Sequence, residues 1–439
     1  MIQLDRSHDG AARSWEPSAN REGTDFPVQN LPLGIFRRRG EPDRAGVALG
    51  DFVVDLAVLR EAGLLAGDAA AAAAAAAGPT LNPLLAQGRG PARALRLALF
   101  DLLGEGGAGS GRAKALRERL LVPIAEAELA LPAAIGGFTD FLTSADHTLR
   151  MGRNALPPAF TQIPIAYNSR ASSVRVSGEE VRRPNGVWRE VEGEKVAFGP
   201  EPWLDFELEL GAFVAGENAL GAPIPIEAAA DRLFGYCLLN DWSARRIQFL
   251  ESMLGPFLGK SLSTTISPWI VTADALLPFA VAARPRPEAE RPLPHLSSAD
   301  DQEHGGLDIV MDALFSTAAM RARHEPPHRL TRAGFRLMYW TFAQMLTHHA
   351  SNGCNLRPGD LFGSGTVSGP TDDSRACLAE ISQRGTVAFV LPGGEERTWL
   401  EDGDEVIFRA RASREGFASI GFGECRGRIA PAPAWPAAH

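Results

Sequence analysis

Residues 234–248 read FGYCLLNDWSARRIQ, an apolar run that ends at Asp241 and is followed by polar residues. The length of the apolar run predicts a buried strand. Arg245 and Gln248 follow within about one helical turn, three residues apart, and so share a helix face. This segment places an acid, a cation and an amide together at the end of a strand. The pattern is typical of a ligand site, although a salt-bridged turn would look the same.

Three further acids stand in apolar surroundings. Asp140 lies in TDF (139–141), and Glu207 and Glu209 are two residues apart, so on a strand they would project from one face. Neighbouring like charges near a core repel each other unless a cation neutralises them. Oxygen ligands favour a hard divalent ion, Mg²⁺ or Ca²⁺, which can polarise a substrate carbonyl. Taken alone, a Glu-x-Glu pair more often marks a solvent-facing edge strand.

Two other residues are candidates for chemistry. His147 follows Asp140 by seven residues and could act as a base, although a histidine in such a loop is more often structural. Lys260 lies in LGPFLGKS (254–261), where glycines let the backbone approach a ligand. With Arg245 it would suit an oxyanion or an enolate. The plainer explanation is a glycine-rich loop without a ligand.

The remaining histidines and cysteines favour structural roles. His348 and His349 are expected to cap a helix or pack in the core. Cys354 is expected to be an inert thiol, because no base is evident beside it. The four cysteines are far apart and form no CxxC pair, which favours reduced thiols in a cytoplasmic protein.

Composition narrows the class of protein. The chain has 439 residues, of which 45% are apolar and 22% charged, which is typical of a soluble protein with room for two domains. Lys and Arg number 44 against 53 Asp and Glu, giving a net charge of −9, and there is no basic stripe. We therefore expect no nucleic-acid partner. The N-terminus lacks an apolar signal region and the alanine run 69–77 is too short to span a bilayer, so no membrane partner is expected.

Composition shifts divide the chain into three parts. Residues 1–26 are expected to be a flexible lead-in, residues 27–130 a small β domain with a helical segment, and residues 131–439 a β-rich domain. Helices are predicted at residues 226–233 and 332–349. Strands are predicted at residues 172–177, 204–214, 234–240, 269–272, 307–314, 385–390 and 405–409.

Together these segments resemble the fumarylacetoacetase family. The resemblance runs from NLPLGIF (30–36) to GFGEC (421–425), and it is most specific in DWSARxIQ and in NGCNLRPGDL (352–361). It is weak over residues 57–130 and 282–306. It implies an α+β, β-rich fold with a small N-terminal SH3-like domain, a mixed β-roll catalytic domain and a homodimer.

The resemblance also implies a reaction and a set of roles. The reaction is hydrolysis of a carbon–carbon bond in a β-diketone, giving fumarate and acetoacetate at the end of tyrosine and phenylalanine catabolism. Divalent-metal ligands are implied at Asp140, Glu207, Glu209 and Asp241. A water-activating base is implied at His147, with Glu380 orienting it. Groups that steady the oxyanion and the leaving carbanion are implied at Arg245, Gln248 and Lys260. Lys260 and Thr264 match a second Mg²⁺ site, and substrate contacts are implied at Tyr167 and Thr366.

The chain departs from the family pattern at substrate contacts. Leu142 and Asn168 replace a tyrosine and a histidine, the tyrosine before LGPF is missing near Ser252, and a substrate arginine is missing after Gly152, where Arg153 could substitute. The reaction class is therefore better supported than the substrate. The alternatives are a hydrolase, decarboxylase or hydratase of another diketo or acylpyruvate acid, and a non-catalytic metal-binding scaffold.

Overall fold

The computed structural model describes residues 3–152, 154–190 and 195–436. The first third of this described chain contains strands β1 (Leu33–Arg37), β2 (Arg44–Leu49), β3 (Phe52–Asp55), β4 (Leu121–Pro123) and β5 (Glu128–Ala130). It also contains helices α1 (Leu56–Glu61), α2 (Gly67–Ala75), α3 (Asn82–Ala86), α4 (Arg89–Leu103), α5 (Ser110–Ala115) and α6 (Arg117–Leu120).

Strands β1 to β4 form an antiparallel run, and β5 also pairs with β1. The longest helix, α4, buries Leu95, Leu99 and Leu103 at helical spacing, which is why this segment is a helix. Alanines of α2 pack against α4, because small side chains let the two helices approach closely. The SH3-like detail of this domain stays a prediction.

Residues 3–26 correct the expectation of a flexible lead-in. The side chains of Ser14 and Trp15 are buried and donate hydrogen bonds to the carbonyls of Leu103 and Leu102, both at 2.8 Å. Glu16 is buried and pairs with Arg117 at 2.9 Å. The polar composition predicted flexibility wrongly, because these polar groups bond to α4 and α6 and not to water.

The remainder of the described chain contains strands β6 (Phe138–Leu142), β7 (Ile165–Asn168), β8 (Val174–Val176), β9 (Glu180–Arg182), β10 (Asn185–Arg189), β11 (Val196–Pro200), β12 (Leu204–Asp205), β13 (Leu208–Val214), β14 (Leu233–Asp241), β15 (Ser243–Ala244), β16 (Thr264–Ile266), β17 (Trp269–Thr272), β18 (Ala280–Val281), β19 (Gly306–Leu307), β20 (Ile309–Ser316), β21 (His328–Gly334), β22 (Leu361–Gly363), β23 (Phe389–Val390), β24 (Glu396–Arg397), β25 (Glu405–Ala412) and β26 (Ile420–Ala430). Its helices are α7 (Ala145–Met151), α8 (Ile226–Ala229), α9 (Arg245–Glu251), α10 (Leu258–Ser261), α11 (Ala299–His304), α12 (Ala318–Ala322), α13 (Phe342–Ala350) and α14 (Leu378–Ile381).

One large sheet joins both parts of the chain in the order β4-β3-β2-β1-β17-β14-β13-β22-β6-β7, with β16 and β8 continuing from β14. A second sheet has the order β21-β20-β25-β26-β9. Most pairs are antiparallel, but β22–β6, β16–β8 and β26–β9 are parallel. Between the sheets the rings of Phe206 and Phe408 pack edge to face at 5.7 Å. The predicted β-rich, mixed α+β class is confirmed.

The helix predicted at residues 332–349 is wrong in its first half. Residues up to Gly334 belong to β21, whose alternating burial matches its pairing with β20. The helix α13 begins only at Phe342, after Thr341 and Gln344 form a reciprocal capping box. The strand at residues 385–390 is likewise reduced to Phe389–Val390. In the described ranges, no helix is long and apolar enough to cross a membrane.

Candidate active site

The residues predicted for the site meet at one cavity of about 460 Å³. Those that line it are Asp140, His147, Tyr167, Glu207, Arg245, Gln248, Lys260 and Thr366. The other predicted residues lie directly behind the cavity wall. Glu209, Asp241 and Glu380 each bond to a residue of the wall, and Thr264 bonds to Asp241. The fold therefore brings together side chains that are up to about 240 positions apart in sequence.

Neighbouring strands of the large sheet bring the acids together. Asp140 lies on β6, Glu209 on β13 and Asp241 at the end of β14. Between β13 and β6 runs β22, which places Gly363 beside Asp140. A Cβ atom at Gly363 would lie 2.9 Å from Glu209 Oε2 and closer still to Asp140 Oδ1. The glycine thus leaves the space that the two carboxylates occupy.

Glu207 reaches the cluster in a different way from that predicted. It stands in the break between β12 and β13, so it and Glu209 are not on one continuous strand. Carboxylate oxygens of Glu207, Asp140 and Asp241 nevertheless lie within 4.8 Å of one another. All these acids are buried, which rules out the solvent-facing edge strand.

Two cations partly balance this charge. Lys260 Nζ bonds to Glu207 Oε2 and lies 2.9 Å from Asp241 Oδ2. Arg245 Nη1 lies 2.8 Å from Glu207 Oε1. Burial alone would raise the pKa of Glu207, but Lys260 and Arg245 hold that pKa well below its usual value. Glu207 is therefore a carboxylate.

On the other side of the cluster, within the described residues, no such ion pair balances the charge of Asp140 and Glu209. Burial, and then the charge of Asp241, raise the pKa of Asp140 to about 8. Burial, and then Asp140, raise the pKa of Glu209 well above its usual value. Within the described chain, Asp140 Oδ1 and Glu209 Oε1 have no hydrogen-bond partner although they are buried. Unpartnered oxygens in a surplus of negative charge fit a hard divalent cation.

A histidine–carboxylate pair faces the same cavity. Ser144 caps α7 by accepting a hydrogen bond from the backbone N–H of His147 at 3.1 Å. The ring Nδ1 lies 2.6 Å from Glu380 Oε1, to which Ser368 Oγ also donates at 2.6 Å. Burial opposes the charge of Glu380, but His147 and the hydrogen-bond donors lower its pKa to about 2. The ionised Glu380 thus holds a proton on Nδ1 and leaves Nε2 as the acceptor.

Arg245 is anchored more firmly than a free substrate-binding arginine would be. It opens α9 and is fully enclosed, with Nε 2.8 Å from Asp205 Oδ2 and Nη1 3.2 Å from Gln248 Oε1. Asp205 is itself held by the backbone N–H groups of Leu378 and Ala379. The guanidinium therefore has a fixed position at the cavity wall.

Lys260 and Thr264 were also implied in a second cation site. The carboxylates of Asp241 and Glu207 raise the pKa of Lys260 above its usual value although burial opposes this, so its nitrogen is an ammonium without a lone pair. Thr264 Oγ1 donates to Asp241 Oδ1 at 2.9 Å. Both side chains act here as donors to the acids, and the second cation site stays a prediction.

Tyr167, predicted as a substrate contact, also belongs to the carboxylate cluster. Its hydroxyl lies 2.8 Å from Asp140 Oδ2 and 2.7 Å from Asp241 Oδ2. Of the positions that depart from the family pattern, Leu142 and Ser252 line the cavity, whereas Asn168 is exposed. Arg153 lies outside the described residues.

Sequence reasoning missed three residues of the site. Asp205 was visible as the first acid of DFELEL (205–210), but its role depends on Arg245, 40 positions later. Arg150 donates to Glu380 Oε2 at 2.8 Å, and its position one helical turn after His147 was an available signal. Ser368 has no comparable signal in the sequence.

The chain matches two sequence families of known proteins. Residues 137–430 match the family described as fumarylacetoacetate (FAA) hydrolase C-terminal, and residues 29–132 match that described as fumarylacetoacetase N-terminal. A fumarylacetoacetase of Bos taurus is 43% identical over 94% of this chain and 97% of its own length. One of Oryza sativa subsp. japonica is 42% identical over 93% of this chain and 96% of its own length.

Similarity to a solved structure supports the fold. A fumarylacetoacetate hydrolase from Exiguobacterium antarcticum superposes with a TM-score of 0.50 at 16% identity, covering 91% of this chain and 99% of that one. At this identity the likeness concerns the fold alone. With the two family matches and the relatives above 40% identity, the site described here has its place in a known group: the chain belongs to the fumarylacetoacetase family.

Proposed function

We propose that this protein hydrolyses fumarylacetoacetate to fumarate and acetoacetate, the reaction named by its relatives. The observation that carries the proposal is that two groups of side chains face the same cavity. One is the buried acid cluster of Asp140, Glu207 and Asp241, and the other is the His147–Glu380 pair. A scaffold without activity would not need both.

A divalent cation, Mg²⁺ or Ca²⁺, would be held by the carboxylates of Asp140, Glu207, Glu209 and Asp241. When bound, it supplies Lewis-acid stabilisation of negative charge on the diketone oxygens. The unpartnered oxygens of Asp140 and Glu209 would bind this cation. No further lysine or arginine would then be needed to balance the charge on that side. Both ions accept oxygen ligands, so the ligand set does not choose between them.

His147 would act as the base. Because Nδ1 is occupied by Glu380, Nε2 takes a proton from water, and the water oxygen bonds to the carbonyl carbon. The carbon–carbon bond then breaks, and its electron pair stays on the departing acetoacetate as an enolate until a proton is returned to that carbon. The ionised Glu380 stabilises the imidazolium formed in the first step.

Lys260, Arg245 and Gln248 would stabilise charge and position the substrate. The ammonium of Lys260 lines the cavity and is held by two carboxylates, so it does not have to reorganise when an oxyanion forms. Arg245 is fixed by Asp205 and Gln248 is fixed by Arg245. Tyr167 and Thr366 would contact substrate from the same wall.

The test is the ultraviolet decay of fumarylacetoacetate with purified protein, with Mg²⁺ or Ca²⁺ and again after chelation. We expect decay that chelation removes, that fails in Asp241→Asn, and that falls about 10²- to 10⁴-fold in His147→Gln. The control is Asp312→Asn, which alters a solvent-side carboxylate paired with Arg332. Full activity of Asp241→Asn and of His147→Gln would refute the assigned roles.

A related substrate is the second candidate, because the cavity wall is more apolar than the resemblance implied. Leu142, Met151 and Ile165 line it together with Ser252. These side chains suit an acylpyruvate or diketo acid with a less polar acyl end. Comparing kcat/KM for fumarylacetoacetate with that for an alkyl-ended 2,4-diketo acid separates the two: a higher value for the alkyl-ended acid would favour this second candidate.

We also propose that the protein is a cytoplasmic homodimer. The free thiols of Cys237, Cys377 and Cys425 are buried, in keeping with a reducing compartment. Residues 249–258 expose large apolar side chains beside the cavity, including Met253 and Leu254. A second copy that covered them would remove this area from water. Sedimentation of the intact protein and of Leu254→Asp tests the dimer, which the aspartate should weaken.

A further inference from the structure

We propose that Arg150 is a positioning residue for the His147–Glu380 pair. The inference rests on the proposed function, in which His147 removes a proton from water. Arg150 is on α7, three residues after His147, so the two side chains leave the helix on the same face. Both side chains bond to the carboxylate of Glu380 on α14, His147 at Oε1 and Arg150 at Oε2.

The contacts of Glu380 show how Arg150 acts. One carboxylate oxygen, Oε1, accepts from His147 Nδ1 and Ser368 Oγ, both at 2.6 Å. The other, Oε2, accepts from Arg150 Nη1 at 2.8 Å. Because the carboxylate is held at both oxygens, it cannot rotate about its terminal bond to offer a different lone pair to the imidazole.

Arg150 is itself held at a second point. Its Nη2 donates to the carbonyl of Gly369 at 2.9 Å, in the segment that carries Ser368. A single planar guanidinium therefore connects the helix of His147, the carboxylate that orients the ring and the loop that provides the other donor. A lysine could keep the charge but could not make both bonds in this fixed geometry.

The geometry also separates Arg150 from the substrate. Its neighbours on α7, Thr148 and Met151, line the cavity, whereas the Arg150 guanidinium is committed to Glu380 and Gly369. Arg150 therefore acts on the reaction through His147. Its loss should lower kcat and leave KM nearly unchanged.

The experiment compares Arg150→Met and Arg150→Lys with the unaltered protein, using the metal-loaded full chain and fumarylacetoacetate. We expect Arg150→Met to lower kcat about 10- to 100-fold, as loss of an orienting partner does elsewhere, with KM changed less than about 2-fold. Arg150→Lys keeps a positive charge beside Glu380 and should recover only part of kcat.

The matched control is Arg332→Met, which removes an arginine that also bonds a carboxylate, that of Asp312, on the other sheet and away from the cavity. Its kcat and KM should be unchanged. Should Arg150→Met unfold, the proposal is judged on Arg150→Lys, whose kcat must fall below that of the unaltered protein.

The outcomes separate this inference from the proposed function. Loss of activity in His147→Gln together with an unchanged kcat in both Arg150 variants would overturn the role of Arg150 alone. A rise in KM at constant kcat would also overturn it, since it would make Arg150 a substrate contact. Full activity in His147→Gln would instead overturn the function on which the inference depends.

Discussion

At the scale of single residues, the site depends on Gly363 as well as on the acids, because a glycine leaves the space beside them free. Asp140 and Glu209 are buried with unpartnered oxygens, and their pKa values are raised because burial disfavours the charged form. Gly363 lies against both carboxylates, and any larger residue would displace them. The proposed cation site would need this glycine, because a larger residue would push the two carboxylates apart.

Gly363→Ala tests this reading. We expect the affinity for Mg²⁺ or Ca²⁺, measured by isothermal titration calorimetry, to fall about 10- to 100-fold because the ligand carboxylates must move. Gly90→Ala in α4 is the control, since a Cβ there meets open space. Unchanged cation affinity in Gly363→Ala would show that Asp140 and Glu209 are not the ligands.

At the scale of elements, a short helix in the weakly similar segment supports a core helix. Asp301 on α11 accepts hydrogen bonds from Thr341 Oγ1, the cap of α13, at 2.9 and 3.0 Å. Arg286 of the same segment lies 4.0 and 3.9 Å from the ring centroids of Tyr339 and Trp340. Residues 282–306 therefore hold the start of α13 in place.

This contact predicts a pH dependence of stability. Burial raises the pKa of Asp301 to about 6, above its value in the unfolded chain. With a raised folded pKa, its stabilising contribution is fully present below about pH 4 and is lost as pH rises through 6. Asp301→Asn should therefore leave stability at pH 4 nearly unchanged and increase it at pH 7.5 by on the order of 1–3 kcal/mol.

Denaturant unfolding of the two proteins at both pH values measures this difference. Glu303→Gln, at an exposed position of the same helix, is the comparison. An equal change in stability at pH 4 and 7.5 for Asp301→Asn would contradict the argument.

At the scale of the whole molecule, one sheet and one core connect the two predicted domains. Strand β1 pairs with β17 through Leu33 and Ile270, so the N-terminal strands continue the sheet that carries Asp241. A core cluster combines Leu33 and Ile35 with Phe213 and Ile270. The two regions should therefore unfold together, wherever the domain boundary is drawn.

Gly34→Ala tests this coupling at the junction. A Cβ at Gly34 would lie 2.6 Å from the Trp269 ring and 2.9 Å from the Pro268 carbonyl, so we expect a loss of about 1–3 kcal/mol in unfolding free energy. The loss should appear as one shifted transition by both circular dichroism and tryptophan fluorescence. Gly111→Ala, in open space on α5, should not shift it. Two separate transitions in Gly34→Ala would contradict the coupling.

Local pattern determined the strands and the types of residue at the site. Apolar runs of strand length ending at acids are readable from neighbouring residues, and the family motifs gave an order and a role to each. This is why β14, β17, Asp241 and Lys260 were predicted. Residues 3–26 were read less well, because these polar residues obtain their order from partners distant in sequence. The start of α13 was misplaced because the residues up to Gly334 pair with β20.

What local pattern could not supply is which charges meet. The bonds of Asp205 to Arg245, Arg150 to Glu380 and Tyr167 to Asp140 each join separate elements. The surplus of charge at Asp140 likewise follows from the pairing of β6 with β22 beside β13. Sequence spacing specifies which face of an element a side chain occupies. The distances between charges, their burial and their pairing with opposite charges are set only when the strands assemble into the sheet.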